Sequence, residues 1–299
     1  MLTAAEAAIC FVLIDHNTAC YTYFCSWVPA SSTQLRTGLL VRSQNCSAAV
    51  NGTCVHCSGS GEYASVITFA EALVDTIDGV TLANITSSSV VFGPGNGTFD
   101  NYGTEDPRLA LDPATGTYYM FYTSYGSGNG AFNSVLLSVA STTDPTSATG
   151  WTRHGAVFPE VLGSKSAALL IRQTGPHFLL WGDTVIRITN STDPAVWPDI
   201  GEVLLAPRPN SFDSQLVESG PPPLLLSTGD YLFLHNSAGP DGYHPSWAIL
   251  SGADPSIVLA RADEPLLSPT LPWEEGIAPY VDTCECCLQG LFICMFLSL

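Results

Sequence analysis

The densest group of chemically capable side chains lies at residues 103–109, Gly-Thr-Glu-Asp-Pro-Arg-Leu, where two adjacent carboxylates, a proline and an arginine occur together. Pro107 fixes its own φ and biases Asp106 before it towards an extended conformation. A carboxylate held beside the guanidinium of Arg108 could act as an acid or bind a polyol. On spacing alone, an Asp-Pro turn with a surface ion pair is the favoured interpretation, so the segment defines a candidate site and not yet a reaction.

Lys165 is the only lysine of the chain, and it stands in a Ser-Lys-Ser-Ala-Ala-Leu segment that begins a predicted strand. In a chain so poor in lysine, this position suggests a cation that holds an anionic ligand. A solvated surface lysine would also account for it. Arg42 and Arg108 are the other candidate inward cations, whereas the Arg153-His154 pair is better explained as an exposed turn.

The balance of charge restricts the partners of the chain. Its 299 residues include 27 acidic and 9 basic ones, which gives a net charge of −18. Such a chain repels phosphate backbones and anionic lipid surfaces, so we expect no nucleic-acid partner and no membrane insertion. A neutral carbohydrate is compatible with this charge. Charged residues make up only 12%, which favours short strands and turns rich in Ser, Thr, Gly and Pro.

The sequons and cysteines bear on the compartment. More Asn-x-Ser/Thr sequons occur than chance predicts, which favours a secreted or lumenal glycoprotein; a cytoplasmic chain with accidental sequons is the alternative. The sequons begin at Asn45, Asn51, Asn84, Asn96 and Asn190. Cys54 and Cys57 have the spacing of half a zinc site, but no second pair follows at finger spacing, so we expect no metal. Residues 7–14 make a poor signal peptide, and the apolar end of the chain is too short to span a bilayer.

The middle of the chain, residues 37–281, carries a loose repeat, whereas residues 1–36 and 282–299 are Cys-rich tails without it. Each repeat unit has an apolar strand, an aromatic strand, a third strand and an Asp-Pro turn. The Asp-Pro turns begin at Asp144, Asp193 and Asp254, and propeller blades recur on this scale. The predicted strands are 117–124, 134–140, 167–171, 177–181, 185–189, 223–226, 230–235 and 247–250.

These patterns predict an all-β fold of the β-propeller type, with a β-sandwich or double jelly roll as the alternative. Helical periodicity is nearly absent, and only residues 69–74 suggest a turn or two of helix.

The Gly-Thr-Glu-Asp-Pro-Arg segment, followed by Tyr-Tyr-Met-Phe-Tyr-Thr at 118–123, resembles the signature of glycoside hydrolase family 130. Further similar segments follow the family's order, and the similarity covers residues 37–281. They are Gly-Leu-Leu-Val-Arg at 38–42 with Gln44 and Asn45, the lysine-bearing segment 164–169, Phe-Asp-Ser at 212–214, the Glu-Ser-Gly-Pro-Pro-Pro loop at 218–223, the aromatic strand 231–236 and the Asp-Pro stretch 253–269.

The resemblance implies a five-bladed β-propeller with its active site at the axis, and inverting phosphorolysis of β-mannosides to α-mannose 1-phosphate. Asp106 would be the catalytic acid and would protonate the leaving oxygen through a sugar hydroxyl, while phosphate supplies the nucleophile. Inorganic phosphate would be a co-substrate, and no cofactor would be needed. The residues expected to bind phosphate or sugar are Arg42, Asn45, Arg108, Lys165, Asp213 and His235.

Glu218 keeps a second reaction open, because a second carboxylate near the axis could activate water and give an inverting β-mannosidase. Asp213 could share that role, whereas His235 is expected to pack or bind sugar and not to titrate. A catalytically silent propeller that recognises mannose-containing glycans is a third interpretation. After Trp-Glu-Glu-Gly at 273–276 the chain departs from the family pattern, which predicts an incomplete closing blade.

Overall fold

The computed structural model of this chain describes residues 7–10, 27–28, 36–44, 49–50, 53–54, 65–75, 81–97, 99–127, 134–268 and 294–297. These residues form strands, turns and bends and contain no helix, so the described part also has no helix that could cross a membrane. Asn45 lies outside the described residues, and its expected role stays a prediction. In chain order the strands are β1 (Ala7–Cys10), β2 (Trp27–Val28), β3 (Arg36–Gln44), β4 (Ala49–Val50), β5 (Thr53–Cys54), β6 (Ser65–Asp75), β7 (Thr81–Phe92), β8 (Gly103–Asp112), β9 (Thr117–Gly126), β10 (Ser134–Thr142), β11 (Thr152–Ala156), β12 (Ala167–Leu170), β13 (His177–Trp181), β14 (Ile186–Ser191), β15 (Glu202–Leu205), β16 (Leu216–Ser219), β17 (Leu224–Leu225), β18 (Tyr231–Gly239), β19 (Gly242–Leu250), β20 (Val258–Arg261) and β21 (Cys294–Leu297).

The largest sheet joins two groups of strands. β8 to β11 form an antiparallel meander, and β2, β3, β6 and β7 form the second group. The groups meet in a short parallel contact of β6 with β8, at Ser65 and Gly103. A Cβ on Gly103 would lie 2.3 Å from Ser65 Oγ, so a larger residue here would force the Ser65 side chain to move.

β6 shows that the expected helical turn over residues 69–74 is wrong. The segment belongs to the strand Ser65–Asp75, which pairs with β3 on one edge and with β7 on the other. Six residues are too few for apolar spacing to distinguish a helix from a strand. Pairing on both edges satisfies the backbone groups of the segment, and this pairing decides its conformation.

Two more antiparallel sheets follow along the chain. β12 to β15 form a four-stranded meander, and β16, β18, β19 and β20 form the next sheet, in which β17 also pairs with β18. Two small sheets pair β1 with β21 and β4 with β5. The proposed boundaries at residues 36/37 and 281/282 stay predictions.

The three predicted Asp-Pro turns are confirmed, and each connects the last two strands of a meander. They begin at Asp144 between β10 and β11, at Asp193 between β14 and β15, and at Asp254 between β19 and β20. In each turn the aspartate Oδ1 accepts the backbone N–H two residues further on, at 2.9 to 3.0 Å. This side-chain-to-backbone bond stabilises the turn locally, which is why the dipeptide marks it in sequence.

Apolar clusters pack between successive sheets and hold the stack together. β12 is buried at all four positions. Ala167 and Leu169 pack towards the β8–β11 meander, whereas Ala168 and Leu170 pack towards the β16–β20 sheet. A third cluster packs the β3–β6–β7 group against β8 and β9. Burying each leucine contributes roughly 1.5–3 kcal/mol. A sheet covered on both faces by its neighbours is the unit of a propeller-type stack, so the all-β, propeller-type architecture is confirmed.

The same stacking brings the leading strands of the sheets together. β8 contacts β3 on one side and β12 on the other. β16 reaches the turn after β13, where the N–H of Ser219 donates to the carbonyl of Gly182 at 2.9 Å. The residues at the ends of these strands therefore share one place in the fold.

Candidate active site

Two carboxylates and a guanidinium form the first part of the site. Arg42 on β3 binds Asp106 Oδ1 through Nη1 at 2.9 Å and Glu105 Oε1 through Nη2 at 3.1 Å. Ser65 Oγ donates a second hydrogen bond to Glu105 Oε1 at 2.8 Å. The side chains of the three charged residues are only 10–18% exposed. The sequence pointed to Arg108 as the cation beside the Asp106 carboxylate, whereas the structure pairs that carboxylate with Arg42 from another strand, and Arg108 binds the Asp106 backbone carbonyl.

The backbone of Asp106 differs from the expected extended conformation, and that expectation is wrong. Its φ is 50°, in the left-handed region. The register between β8 and β9 shifts between Glu105 and Arg108, so Asp106 and Pro107 form a bulge. A bulge re-aims a side chain relative to its strand, and non-glycine residues with positive φ are concentrated at functional sites. The bulge therefore turns the Asp106 carboxyl towards Arg42.

Arg108 connects β8 with β16. Its Nη1 donates to the carbonyl of Asp106 at 3.0 Å, and its Nη2 donates to the carbonyl of Ser219 at 3.2 Å. Nη2 also lies 3.7 Å from Glu218 Oε1, and both side chains are at most 7% exposed. Arg108 thus places the Glu218 strand next to the Asp106 bulge.

Glu218 is a buried carboxyl with a perturbed proton affinity. Burial raises the pKa of Glu218, and the charge of Asp106 acts in the same direction. Arg108, Lys165 and a hydrogen bond from Ser166 oppose this rise only in part. Ser166 Oγ donates to Glu218 Oε1 at 2.5 Å, and Ser166 itself has a φ of 54°. A carboxyl with a raised pKa, coupled to a second carboxyl, is typical of acid–base sites.

Lys165 lies at the more exposed edge of the site. Its Nζ is 3.2 Å from Asp183 Oδ2, and the two side chains are 38% and 35% exposed. Burial lowers the pKa of Lys165, but the carboxylates of Asp183, Glu218 and Asp106 outweigh burial and raise it overall. Lys165 therefore stays protonated and is electrostatically coupled to both candidate catalytic carboxyls.

Sequence reasoning missed three residues that take part in this geometry. Ser65 binds Glu105, Ser166 binds Glu218, and Asp183 binds Lys165. Ser166 stands in the lysine-bearing segment already singled out, so that segment was a usable signal. Ser65 and Asp183 stand in no distinctive pattern, and strand pairing brings them here: Ser65 through the contact of β6 with β8, and Asp183 through the pairing of β12 with β13.

Asp213 lies in a separate ion cluster. Its fully buried carboxylate is bound by Arg208 Nε at 2.9 and 3.2 Å and by Arg261 Nη2 at 2.5 Å. Burial opposes ionisation, yet the hydrogen bonds and charges of the two arginines lower the pKa of Asp213 overall. This arrangement gives Asp213 a structural task, and its sugar-binding role stays a prediction.

His235 is buried beside that cluster and stays neutral. Burial lowers its pKa to about 4, although a hydrogen bond with the carbonyl of Asn236 opposes this. Nδ1 donates to that carbonyl at 3.1 Å. A neutral imidazole agrees with the expectation that His235 does not titrate in catalysis. Arg153 lies elsewhere too, ion-paired with Asp100 and placed 3.8 Å over the Phe92 ring.

In the described part of the chain, no group of three or more His, Cys, Asp or Glu residues is arranged to hold a metal ion. Three cations, Arg42, Arg108 and Lys165, together with carboxylates from three sheets, form the site. Such a set can hold hydroxyl groups and anions and can transfer a proton. The fold and the site together define a propeller-type protein with a charged, acid–base-capable cluster where its sheets meet.

Comparisons with known proteins specify the class. A family model for glycoside hydrolase family 130, described as β-1,4-mannooligosaccharide phosphorylase, matches residues 62–290. The chain belongs to this family. It is 32% identical over 182 residues to a 1,2-β-oligomannan phosphorylase of Thermoanaerobacter sp. (strain X514), across 60% of this chain and 58% of the relative. A β-1,2-mannobiose phosphorylase of Listeria innocua is 31% identical over 120 residues, across 40% of this chain and 32% of the relative. The chain therefore spans less than three fifths of the length of these curated relatives.

Solved structures show the same fold. A family 130 structure, from work on glycoside hydrolases that target β-1,2 mannosidic linkages in Candida mannan, matches with a TM-score of 0.68 at 23% identity and covers 92% of this chain and 84% of that one. The β-1,2-mannobiose phosphorylase of Listeria innocua, in complex with β-1,2-mannobiose, matches with a TM-score of 0.63 at 18% identity, across 84% of this chain and 78% of that one.

Proposed function

We propose that the chain cleaves β-mannosides by inverting phosphorolysis, with Asp106 as the catalytic acid. The observation that carries the proposal is the β8 bulge, which places the Asp106 carboxyl in one cluster with the buried Glu218 and with cations that can hold an anion, Arg42 and Lys165. Family membership and the names of the relatives support the reaction class. Those relatives act on β-1,2-linked mannosides or oligomannans by name, whereas the family description gives β-1,4 linkage. Both linkages are therefore tested below.

The proposed reaction needs one proton donor and one nucleophile. The glycosidic C–O bond breaks, and an oxygen of inorganic phosphate forms the new bond to the anomeric carbon from the opposite face. Asp106 gives its proton to a sugar hydroxyl, and the proton of that hydroxyl goes to the leaving oxygen. Arg42, Arg108 and Lys165 would stabilise the phosphate charge, and Glu105 and Asp183 would accept hydrogen bonds from sugar hydroxyls. Phosphate is a co-substrate, and no cofactor is required.

Hydrolysis is the second candidate, and the charge balance of the site favours it. Among the described site residues, the cations Arg42, Arg108 and Lys165 face four carboxylates: Glu105, Asp106, Asp183 and Glu218. A dianion entering this site gains no surplus of positive charge, whereas water enters without that cost. Glu218 would then act as general base, and its raised pKa suits a base that works near neutrality.

Product analysis distinguishes these functions. The protein is incubated with β-1,2-mannobiose and with β-1,4-mannobiose, each with and without inorganic phosphate. Phosphate-dependent formation of α-mannose 1-phosphate supports phosphorolysis, and phosphate-independent release of mannose supports hydrolysis. Binding without turnover in all four reactions would support a silent mannoglycan-binding protein and contradict both enzymatic proposals.

The finer architecture and the compartment are part of the same proposal. We infer that residues 37–281 form five blades, of which the β8–β11, β12–β15 and β16–β20 sheets are three. We also propose a secreted or lumenal glycoprotein, supported by the exposed positions of Asn96 and Asn190, each of which begins a sequon. Mass spectrometry of the protein from a eukaryotic secretory host, before and after glycosidase treatment, tests the second statement.

A further inference from the structure

The Lys165–Asp183 pair differs from the other ion pairs of the site in its access to ligand. Its side chains are 38% and 35% exposed. Those of the Arg42 pairs with Glu105 and Asp106, and of the Arg108–Glu218 pair, are 6–18% exposed. Lys165 and Asp183 are therefore more accessible to a ligand than the buried carboxyls of the site.

Lys165 is also the cation of the described site that an incoming anion can reach most easily. It is the only lysine of the chain, which has nine basic residues in all. Arg42 and Arg108 are 14% and 6% exposed and bind carboxylates and backbone carbonyls. Arg153, Arg208 and Arg261 are bound in other clusters, with Asp100 and Asp213. Among the described side chains of the site, Lys165 is the most exposed cation.

Asp183 is held beside Lys165 by the fold and is not simply a mobile surface group. It follows Gly182, whose N–H donates to the carbonyls of Lys165 and Ser166 at 3.2 and 2.9 Å. Gly182 has a φ of 121°, and a Cβ there would lie 2.1 Å from the carbonyl of Val185. The strands on either side are in register, with Ala167 opposite Trp181. The close turn after β13 fixes the ion pair at the open end of the β12–β13 hairpin.

We propose that Asp183 determines the co-substrate of the reaction, because its carboxylate occupies Lys165 and competes with inorganic phosphate for the same ammonium group. A carboxylate and a phosphate dianion repel each other at contact distance, and one ammonium cannot offset both charges. Water carries no charge and is unaffected by this competition. The native Asp183 therefore weakens phosphate binding and lowers the share of phosphorolysis relative to hydrolysis, and loss of its charge raises that share. The inference rests on the proposed cleavage of β-mannosides and specifies the nucleophile that this site selects.

The test compares Asp183→Asn with two further variants. Asparagine keeps the size and removes the charge. Asp193→Asn is the matched control, because it removes the same charge from the same sheet and asparagine preserves the Asx turn. Lys165→Met in the Asp183→Asn background removes the ammonium. Thermal unfolding confirms that each variant is folded.

Isothermal titration calorimetry with inorganic phosphate, without sugar, gives the first measurement. We expect Asp183→Asn to bind phosphate about tenfold more tightly than the native protein, a difference of ~1.4 kcal/mol. The Asp193→Asn control should bind as the native protein does, and the double variant should lose the gain. Equal phosphate binding by Asp183→Asn and Asp193→Asn, or no measurable binding by any variant, would overturn the inference.

The ratio of α-mannose 1-phosphate to mannose, at fixed phosphate and mannobiose, gives the second measurement. This ratio should rise about tenfold in Asp183→Asn. The two proposals fail in different ways: absence of any mannobiose cleavage contradicts the proposed function, while the calorimetric comparison still decides the role of Asp183.

Discussion

Replacing Asp106 with asparagine tests the central residue of the site without disturbing its backbone. Asp106 adopts a φ of 50°, a region in which asparagine is several-fold enriched over most non-glycine residues. Asparagine also keeps the shape of the side chain but cannot supply a proton. Removing a general acid typically lowers kcat by about 10²–10⁴-fold. We expect Asp106→Asn to fall in that range with either mannobiose.

The same substitution, Asp106→Asn, should also lower the free energy of unfolding. The hydrogen bond of Arg42 Nη1 to Asp106 is weakened, but Arg42 keeps Glu105 at 3.1 Å. A hydrogen bond to a charged group contributes about 1.5–3 kcal/mol, and with Glu105 retained the loss should be about 1–2 kcal/mol. Asp106→Ala should lose a further ~1–2 kcal/mol, because alanine is strained at this φ.

The assays measure mannose and α-mannose 1-phosphate release, and urea unfolding for each variant. Asp144→Asn serves as the control, because it removes the same charge in an exposed Asp-Pro turn. If Asp106→Asn keeps more than a tenth of the native kcat, Asp106 is not the proton donor. If Asp106→Ala is as stable as Asp106→Asn, the left-handed backbone is not a source of strain.

Three other predictions concern groups around the site. Glu218→Gln should lower the rate of hydrolysis by about 10²-fold or more and leave the rate of phosphorolysis nearly unchanged. Because a base must be ionised, the native rate of hydrolysis should rise as pH rises through the raised pKa of Glu218. Equal loss of both activities in the variant would contradict the base role. Asp213→Asn should lose about 3–5 kcal/mol at pH 7, because Arg208 and Arg261 are left with an uncharged partner. Since the pKa of Asp213 is lowered from 3.8, the native protein keeps this stability above pH 3.8 and loses it as pH falls further, through the folded-state pKa. The difference in unfolding free energy between the native protein and the variant, measured in urea, should therefore narrow between about pH 5 and pH 2, and a constant difference over that window refutes the argument. Arg153→Met should lower the free energy of unfolding by ~1–2 kcal/mol, because the contact of the guanidinium with the Phe92 ring is lost. The KM for mannobiose should stay unchanged, and a raised KM would place Arg153 in the site.

The parts of the fold that sequence predicts are those set by local chemistry. The segment 177–181 shows no alternation of apolar and polar residues and is an apolar, aromatic run. Turn residues bound it on both sides, and it forms the strand β13 as predicted. The Asp-Pro turns also follow from local hydrogen bonds. The fourth strands β11, β15 and β20 were not predicted. β11 is exposed and polar, Thr-Arg-His-Gly-Ala, and only pairing with β10 makes it a strand.

The parts of the site that sequence misses depend on how strands pair within the sheets. Asp106 was expected to be extended on the basis of Pro107, but the β8–β9 bulge imposes the opposite sign of φ. Asp183 and Lys165 are eighteen positions apart and meet only because β12 and β13 pair. Asp106, Lys165 and Glu218, which the family resemblance singled out, lie in one cluster, and their catalytic and binding roles stay predictions. The resemblance gave no information on which carboxylate neutralises which cation.

Asp106 and Ser166 come from different sheets, yet both have a left-handed backbone with φ values of 50° and 54°. Few side chains tolerate this conformation, and β-branched ones tolerate it least. In a saturation library at either position, many variants would therefore lose stability because of the backbone conformation, and others would lose only activity. Asparagine and glycine tolerate this backbone conformation, so a loss of activity in these folded variants would measure the chemical role of the side chain alone.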